Sequence, residues 1–186
     1  MVAWMNAHKD KGLKFSEHGN SPCIMFSDAS NKPDPNDGLC QYGYCMMFKG
    51  APIASCSKKL AHVGLSAMQN EYMALRFAAS TVVWFSNLMK EIGCSHYVSK
   101  PIMIYGDNTV ANMTAREDFV SSGNQHIYVP YHFVKEVHKK GIINVQHVAG
   151  KENISDIFTK PVTRQVIDTL LNKMKGYDHT WQTTLT

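Results

Sequence analysis

Between residue 22 and about residue 57 the apolar positions follow the two-residue period of strands, and from Ala67 to about Glu91 they follow the longer period of a helix. In the stretch from Pro22 to Asp28, alternation places Ile24, Phe26 and Asp28 on one face of a strand. A loop rich in Pro, Asn and Asp from Asn31 to Gly38 follows. Tyr42 to Phe48 and Pro52 to Ser57 then read as a hairpin around Lys49-Gly50-Ala51. Ser66 with Gln69 forms a capping-box signature that starts a helix running from Ala67 to about Glu91, with Met68, Tyr72, Leu75, Ala79, Val82 and Met89 at helical spacing.

Pro101 to Tyr105 is apolar on both faces, as in a central strand covered from either side, and Asp107 lies at its end. A short helix is predicted over Asn108 to Arg116, a loop over Glu117 to Gln125, and a second long helix over Ile127 to Lys140, with Pro130 tolerated if it falls in the first turn. Ile142 to Val148 reads as a strand. Asn153 is the predicted cap of a helix carrying Ile154, Asp156, Ile157 and Phe158, broken by Pro161, and Thr163 to Lys175 supplies a last helix. Strand, helix and strand in that order suggest a crossover unit, and such sheets bind ligands just beyond their strand ends.

Four carboxylates interrupt this pattern on or beside strongly apolar segments: Asp28, Glu71, Asp107 and Asp156. An ionised carboxylate taken out of water costs several kcal/mol unless a positive or hydrogen-bonding partner compensates, so a shared partner is the economical explanation. Oxygen-bound hard cations, Mg²⁺ first, fit that role. Each acid also has an ordinary reading: Asp107 as a helix N-cap, Asp156 at the positive end of the last helix, and Glu71 as a first-turn acid. Asp28, on an apolar strand face, is the hardest to explain that way.

Composition narrows the class without choosing a function. The chain has 186 residues, 44% of them hydrophobic, enough for one substantial core, and no internal repeat or interdomain linker. Its formal charge of +4 is compatible with a polyanionic partner without demanding one. No stretch approaches the roughly 20 apolar residues of a membrane span, and the N-terminal residues lack the apolar core of a signal peptide, so an intracellular setting is expected. The five cysteines form an odd set without a CxxC, which excludes a complete disulfide framework and argues against zinc.

A more specific pattern lies in the order of short motifs. Ser27-Asp28-Ala29, Gly43-Tyr44, Pro52-Ile53, Ser57-Lys58-Lys59 and Asn70 to Leu75 are followed by Tyr105-Gly106-Asp107-Asn108, His126-Ile127, Tyr131-His132-Phe133 and Asp156 to Pro161. The series, spanning about residues 10 to 162, resembles the ribonuclease H domain of copia-type LTR retrotransposon polyproteins. Gly12 to Phe15 looks like the stretch that joins the reverse transcriptase region to this domain. The resemblance divides the chain into an extension at 1–20, the domain at 21–176 and a tail at 177–186. Pro130, Gln125 and Asn70 depart from the usual residues at their positions, and none of these removes an acid.

The resemblance implies a ribonuclease H-like α/β fold, a mixed five-stranded sheet with helices on both sides, and places the family's metal-binding acids at Asp28, Glu71, Asp107 and Asp156. It implies hydrolysis of the RNA strand of an RNA/DNA hybrid with two Mg²⁺ ions, about 3.5–4 Å apart, or with Mn²⁺ as a substitute. No small-molecule cofactor and no membrane are expected. The partners would be the hybrid and a reverse transcriptase domain of the parent polyprotein, in the cytoplasm within a virus-like particle or in the nucleus.

His147, nine positions before Asp156, is a candidate for moving protons or releasing product, since cellular and retroviral relatives carry a histidine before the last acid. Lys58, Lys59, Lys135, Lys139 and Lys140 are candidates for phosphate contacts, and Gln69 and Asn108 for 2′-hydroxyls. The alternative reading is a domesticated or weakly active module that keeps the fold for nucleic-acid or protein binding. A DNA-cutting nuclease or strand transferase would use similar acids on the same fold.

Overall fold

The computed structural model describes residues 23–61, 63–116 and 128–174, together with residues 6, 9, 12 and 15. The predicted extension at 1–20 (those four residues apart), the loop over Glu117 to Gln125, the His126-Ile127 pair and the tail at 177–186 lie outside the described residues.

Three strands open the fold: β1 (Ile24–Ala29), β2 (Gln41–Phe48) and β3 (Ala51–Lys59). They form an antiparallel meander, and the turn between β2 and β3 uses Lys49 and Gly50, both with positive φ. The hairpin register slips at Met46/Met47, a bulge that absorbs one residue between the strands. The 25-residue helix α1 (Ala67–Glu91) then carries the chain across the sheet to β4 (Ile102–Gly106). Two more helices, α2 (Thr109–Arg116) and α3 (Tyr128–Lys139), lead to β5 (Ile143–His147). The sheet order is β3-β2-β1-β4-β5, with β1, β4 and β5 parallel. Pro130 falls in the first turn of α3, where its missing N–H breaks no helical hydrogen bond.

The predicted helix around Asp156 is instead a five-residue 3₁₀ turn, Ile154–Phe158, preceded by a shorter one at Gly150–Glu152. Asn153 does cap it: its Oδ1 accepts from Ser155 N at 3.2 Å and Ser155 Oγ at 2.6 Å. With Pro161 three residues beyond its end, the segment has no room to propagate an α-helix. The last helix, α4, is Arg164–Met174.

Helices cover both faces of the sheet. On one face α1, α2 and α3 bury Met25, Met46, Ile102, Ile104 and Val145 against Tyr72, Leu75, Val82 and Val134. On the other face a smaller core of Ile24, Phe26, Met47 and Tyr105 meets Ile154, Leu170 and Met174. Because β1 lies between β2 and β4 and is covered from both sides, every one of its residues is buried, Asp28 included. The sandwich thus fixes the end of β1 and leaves that carboxylate at the C-terminal edge of the parallel strands.

Candidate active site

Three of the four predicted acids converge at that edge. Asp28 is the penultimate residue of β1, Asp107 follows the last residue of β4, and Glu71 hangs from α1; one ligand oxygen from each lies within 4.8 Å of the others. Glu71 sits just past the first helical turn, not within it, so it does not serve the positive end of the helix. Its carboxylate accepts a hydrogen bond from the backbone N–H of Ala29, which ties α1 to the end of β1. Asp28 is 1% exposed, and its Oδ1 has no hydrogen-bond partner among the described residues.

The charge stored here is out of balance. Burial, with the neighbouring charges of Asp28 and Asp107, pushes the Glu71 carboxyl up to about 9. Burial raises Asp28 to about 7, against the pull of the Thr159 hydroxyl and the Lys160 ammonium. Such shifts mean that two carboxylates resist ionising together in this space without a positive partner. Three closely set carboxylates, one of which also carries an unpaired buried oxygen, have the chemistry of a hard divalent cation site.

Asp156 joins from a different direction. Asn153, fully buried, donates from Nδ2 to Ser27 O at 3.0 Å and so pins the 3₁₀ turn to β1. Ser57 Oγ donates to Phe158 O at 2.6 Å and holds the turn to β3. The turn can lie this close because Gly43 pairs with Asp28 in register: a Cβ there would stand 2.5 Å from Phe158 Cβ. Thr159 Oγ1 donates to Asp28 Oδ2, and Lys160 Nζ lies 2.9 Å from Asp156 Oδ1 and 3.8 Å from Asp28 Oδ2. Asp156 therefore neighbours the trio through Lys160, and burial raises its carboxyl despite that lysine.

Thr159 and Lys160 are the residues that sequence reasoning passed over. Their signal was local: positions three and four beyond Asp156 return to the same side of a turn. His147 is exposed at the end of β5, beside Gly106 in register and hence next to the strand that carries Asp107.

The polar and cationic candidates are dispersed. Gln69 is buried and accepts from Leu65 N at 2.7 Å, while Ser66 Oγ accepts from Gln69 N at 3.2 Å, so both serve the start of α1. Asn108 caps α2 by accepting from Ala111 N at 3.0 Å. Lys58 and Lys59 stand exposed at the carboxylate end of β3, where Lys59 pairs with Asp34 and Asp37. Lys135 is buried with its ammonium 4.5 Å from the centre of the Tyr131 ring. Lys139 ends α3 and Lys140, paired with Glu136, follows it; both precede β5 and lie toward the sheet end opposite the acids.

This arrangement has relatives. The chain is 30% identical over 175 residues, 94% of its length, to the retrovirus-related Pol polyprotein from transposon RE2 of Arabidopsis thaliana, and 29% identical over 161 residues, 86% of its length, to that from transposon RE1 of the same plant. It spans 12% and 11% of those polyproteins. In three dimensions it resembles LC11-RNase H1 in complex with an RNA/DNA hybrid, with TM-score 0.53, 15% identity, and coverage of 80% of this chain and 99% of that one. No protein-family model matches the chain. Pol polyproteins of copia-type transposons are thus among its homologues. The fold is that of ribonuclease H, with Asp28, Glu71 and Asp107 clustered at the carboxyl ends of its central strands. Among the described residues of this ribonuclease H-fold domain, no helix is long and apolar enough to cross a membrane.

Proposed function

We propose that this domain is a divalent-metal-dependent endonuclease that hydrolyses the RNA strand of RNA/DNA hybrids. The observation that carries the reading is the convergence of Asp28, Glu71 and Asp107 within 4.8 Å at the edge of a ribonuclease H fold. Its homology to Pol polyproteins supports a role in removing the RNA template during reverse transcription, beside a polymerase domain. The hybrid bound by LC11-RNase H1 supports the same class of substrate. The setting proposed is a cytoplasmic virus-like particle or the nucleus.

In this reading Asp28, Glu71 and Asp107 would hold one Mg²⁺, and Asp28 with Asp156 would hold a second. Bound ions supply an activated water and stabilise charge on the phosphate and on the departing 3′ oxygen, leaving 5′-phosphate and 3′-hydroxyl ends. The chain's own part is to present the carboxylates. Asn153 fixes the turn that carries Asp156, and Thr159 orients the Asp28 carboxylate by donating to one of its oxygens. Glu71, whose carboxyl burial and the neighbouring acids push up to about 9, would be held ionised by a bound cation. Exposed His147, at the neighbouring strand end, is proposed to exchange protons with the product side.

The test is Mg²⁺-dependent cleavage of an end-labelled RNA/DNA hybrid beside double-stranded DNA and double-stranded RNA, with Asp107→Asn as control. Cutting confined to the RNA of the hybrid and lost in the variant is expected. Preference for duplex DNA would overturn the substrate assignment. Folded protein that cuts nothing in ample Mg²⁺ or Mn²⁺ would favour a binding module.

A further inference from the structure

Lys160 holds a place that the proposed chemistry leaves unexplained. Its ammonium lies between two acids of the site, 2.9 Å from Asp156 Oδ1 and 3.8 Å from Asp28 Oδ2. Asp28 Oδ2 is shared between this ammonium and the Thr159 hydroxyl, whereas Oδ1 lacks a hydrogen-bond partner among the described residues. The two halves of the site thus differ. Lys160 forms ion pairs with Asp28 and Asp156, whereas it acts on Glu71 and Asp107 through longer-range attraction, so the half made by Asp28 and Asp156 already contains a cation at contact distance.

Position and reach suit a movable counter-ion. The Lys160 side chain is 41% exposed, while Asp28 is 1% and Asp156 17% exposed, so the ammonium can withdraw toward water and the acids cannot. Lysine is fitted to this, being a compact charge on a four-carbon flexible stem. Thr159 anchors the backbone one residue earlier, so withdrawal requires side-chain rotation only.

We infer that Lys160 is a positioning residue that stands in for a divalent cation between Asp28 and Asp156, and that a second ion enters only by displacing it. This rests on the metal-dependent reading above. It makes the two halves unequal by construction: the first ion meets open oxygens, while the second must compete with a tethered ammonium. Lys160 thereby sets the divalent concentration at which the second half fills, and holds the Asp28 and Asp156 carboxylates in place until then.

The experiment is calorimetric Mn²⁺ titration of the free protein and of Lys160→Gln and Lys160→Arg, with folding checked by circular dichroism. Lys160→Gln should bind the weaker Mn²⁺ at least tenfold more tightly than wild type, with the tighter ion changed less than about threefold, and Lys160→Arg should stay near wild type. Equal or weaker second-ion binding in a folded Lys160→Gln overturns the inference. Should the variant not fold, the wild-type protein decides: the NMR signals of the Lys160 ε-methylene should move on saturation with Mg²⁺, and signals that stay fixed at saturation overturn it. Absence of any Mn²⁺ binding overturns this inference and the metal-dependent reading together, whereas one-ion binding indifferent to Lys160 overturns this inference alone.

Discussion

Asp28 and Glu71 belong to a central strand and a 25-residue helix, whereas Asp156 hangs from a five-residue 3₁₀ turn, and the three are stabilised in opposite ways. The first two are immobilised by the core around them, and their carboxyls are driven up to about 7 and about 9 because burial offers them too little positive charge. Asp156 has little regular structure behind it and instead draws on a set of polar ties, Asn153 to Ser27, Ser57 to Phe158, and its own Lys160. Rigid elements can store unfavourable charge until a cation neutralises it. An irregular turn lacks that packing and is held by hydrogen bonds and an ion pair, each modest in net terms.

The sharpest break in that contrast is chemical. Asp28→Asn should lower hybrid cleavage on the order of 10³-fold, comparable to losing a principal electrostatic stabiliser, while Asp156→Asn, outside the closest trio, should cost less and recover partly in Mn²⁺. Single-turnover rates on end-labelled hybrid compare the two, and equal losses would erase the distinction between core-borne and turn-borne acids.

Next in size is the pH dependence of the metal-free protein. Below about pH 3 both acids are protonated folded or unfolded and cost nothing. As pH rises, the unfolded chain releases these protons first, so stability falls through about 7 for Asp28 and about 9 for Glu71. Asp28 alone contributes a loss on the order of 4 kcal/mol at about 1.4 kcal/mol for each unit its carboxyl is raised, and excess Mg²⁺ should flatten the curve. Urea unfolding at pH 5, 7 and 9 with EDTA or Mg²⁺ measures it, and a rise with pH in EDTA would contradict the burial argument.

Smaller effects should follow from the turn's supports. Asn153→Ala strips Ser27 O and Ser155 of a buried partner and should destabilise by about 1–3 kcal/mol. Gly43→Ala drives a methyl into Phe158 and should cost about 1–3 kcal/mol, with a larger fractional loss in Asp156-dependent activity than in binding of the first ion. Denaturant midpoints paired with Mn²⁺ titrations separate stability from site geometry in both variants. The smallest change is expected from Lys139→Ala with Lys140→Ala. The five residues of β5 put these lysines roughly 16 Å from the acid edge at about 3.3 Å per residue, and hybrid affinity should shift by less than about 1 kcal/mol. A larger shift, read by fluorescence anisotropy, would show that the hybrid reaches across the sheet.

The same divide governs what the sequence made legible. Period-two and helical spacing located all five strands and α1 to within a few residues, because Ile24, Phe26, Leu75, Val82 and Ile104 are core residues whose burial repeats with the backbone. Asp28 was conspicuous for that reason, as a charge on a buried face. Asn153 was legible as a cap, but the turn after it carries no period, and it is held by contacts with β1, β2 and β3, each more than one hundred residues earlier in the chain. Gln69 and Asn108 looked available for substrate because their polar groups are visible in the sequence, while the backbone N–H groups they satisfy are not.

The outer strand of the meander carries one further consequence. Among the described residues no strand pairs beyond β3, which would ordinarily invite another chain to add its own strand to the exposed edge. Here the bulge at Met46/Met47 twists the hairpin, Pro52 withholds a donor near the start of the strand, and Lys58 and Lys59 put charge at its far end. An edge so interrupted resists sheet-to-sheet aggregation.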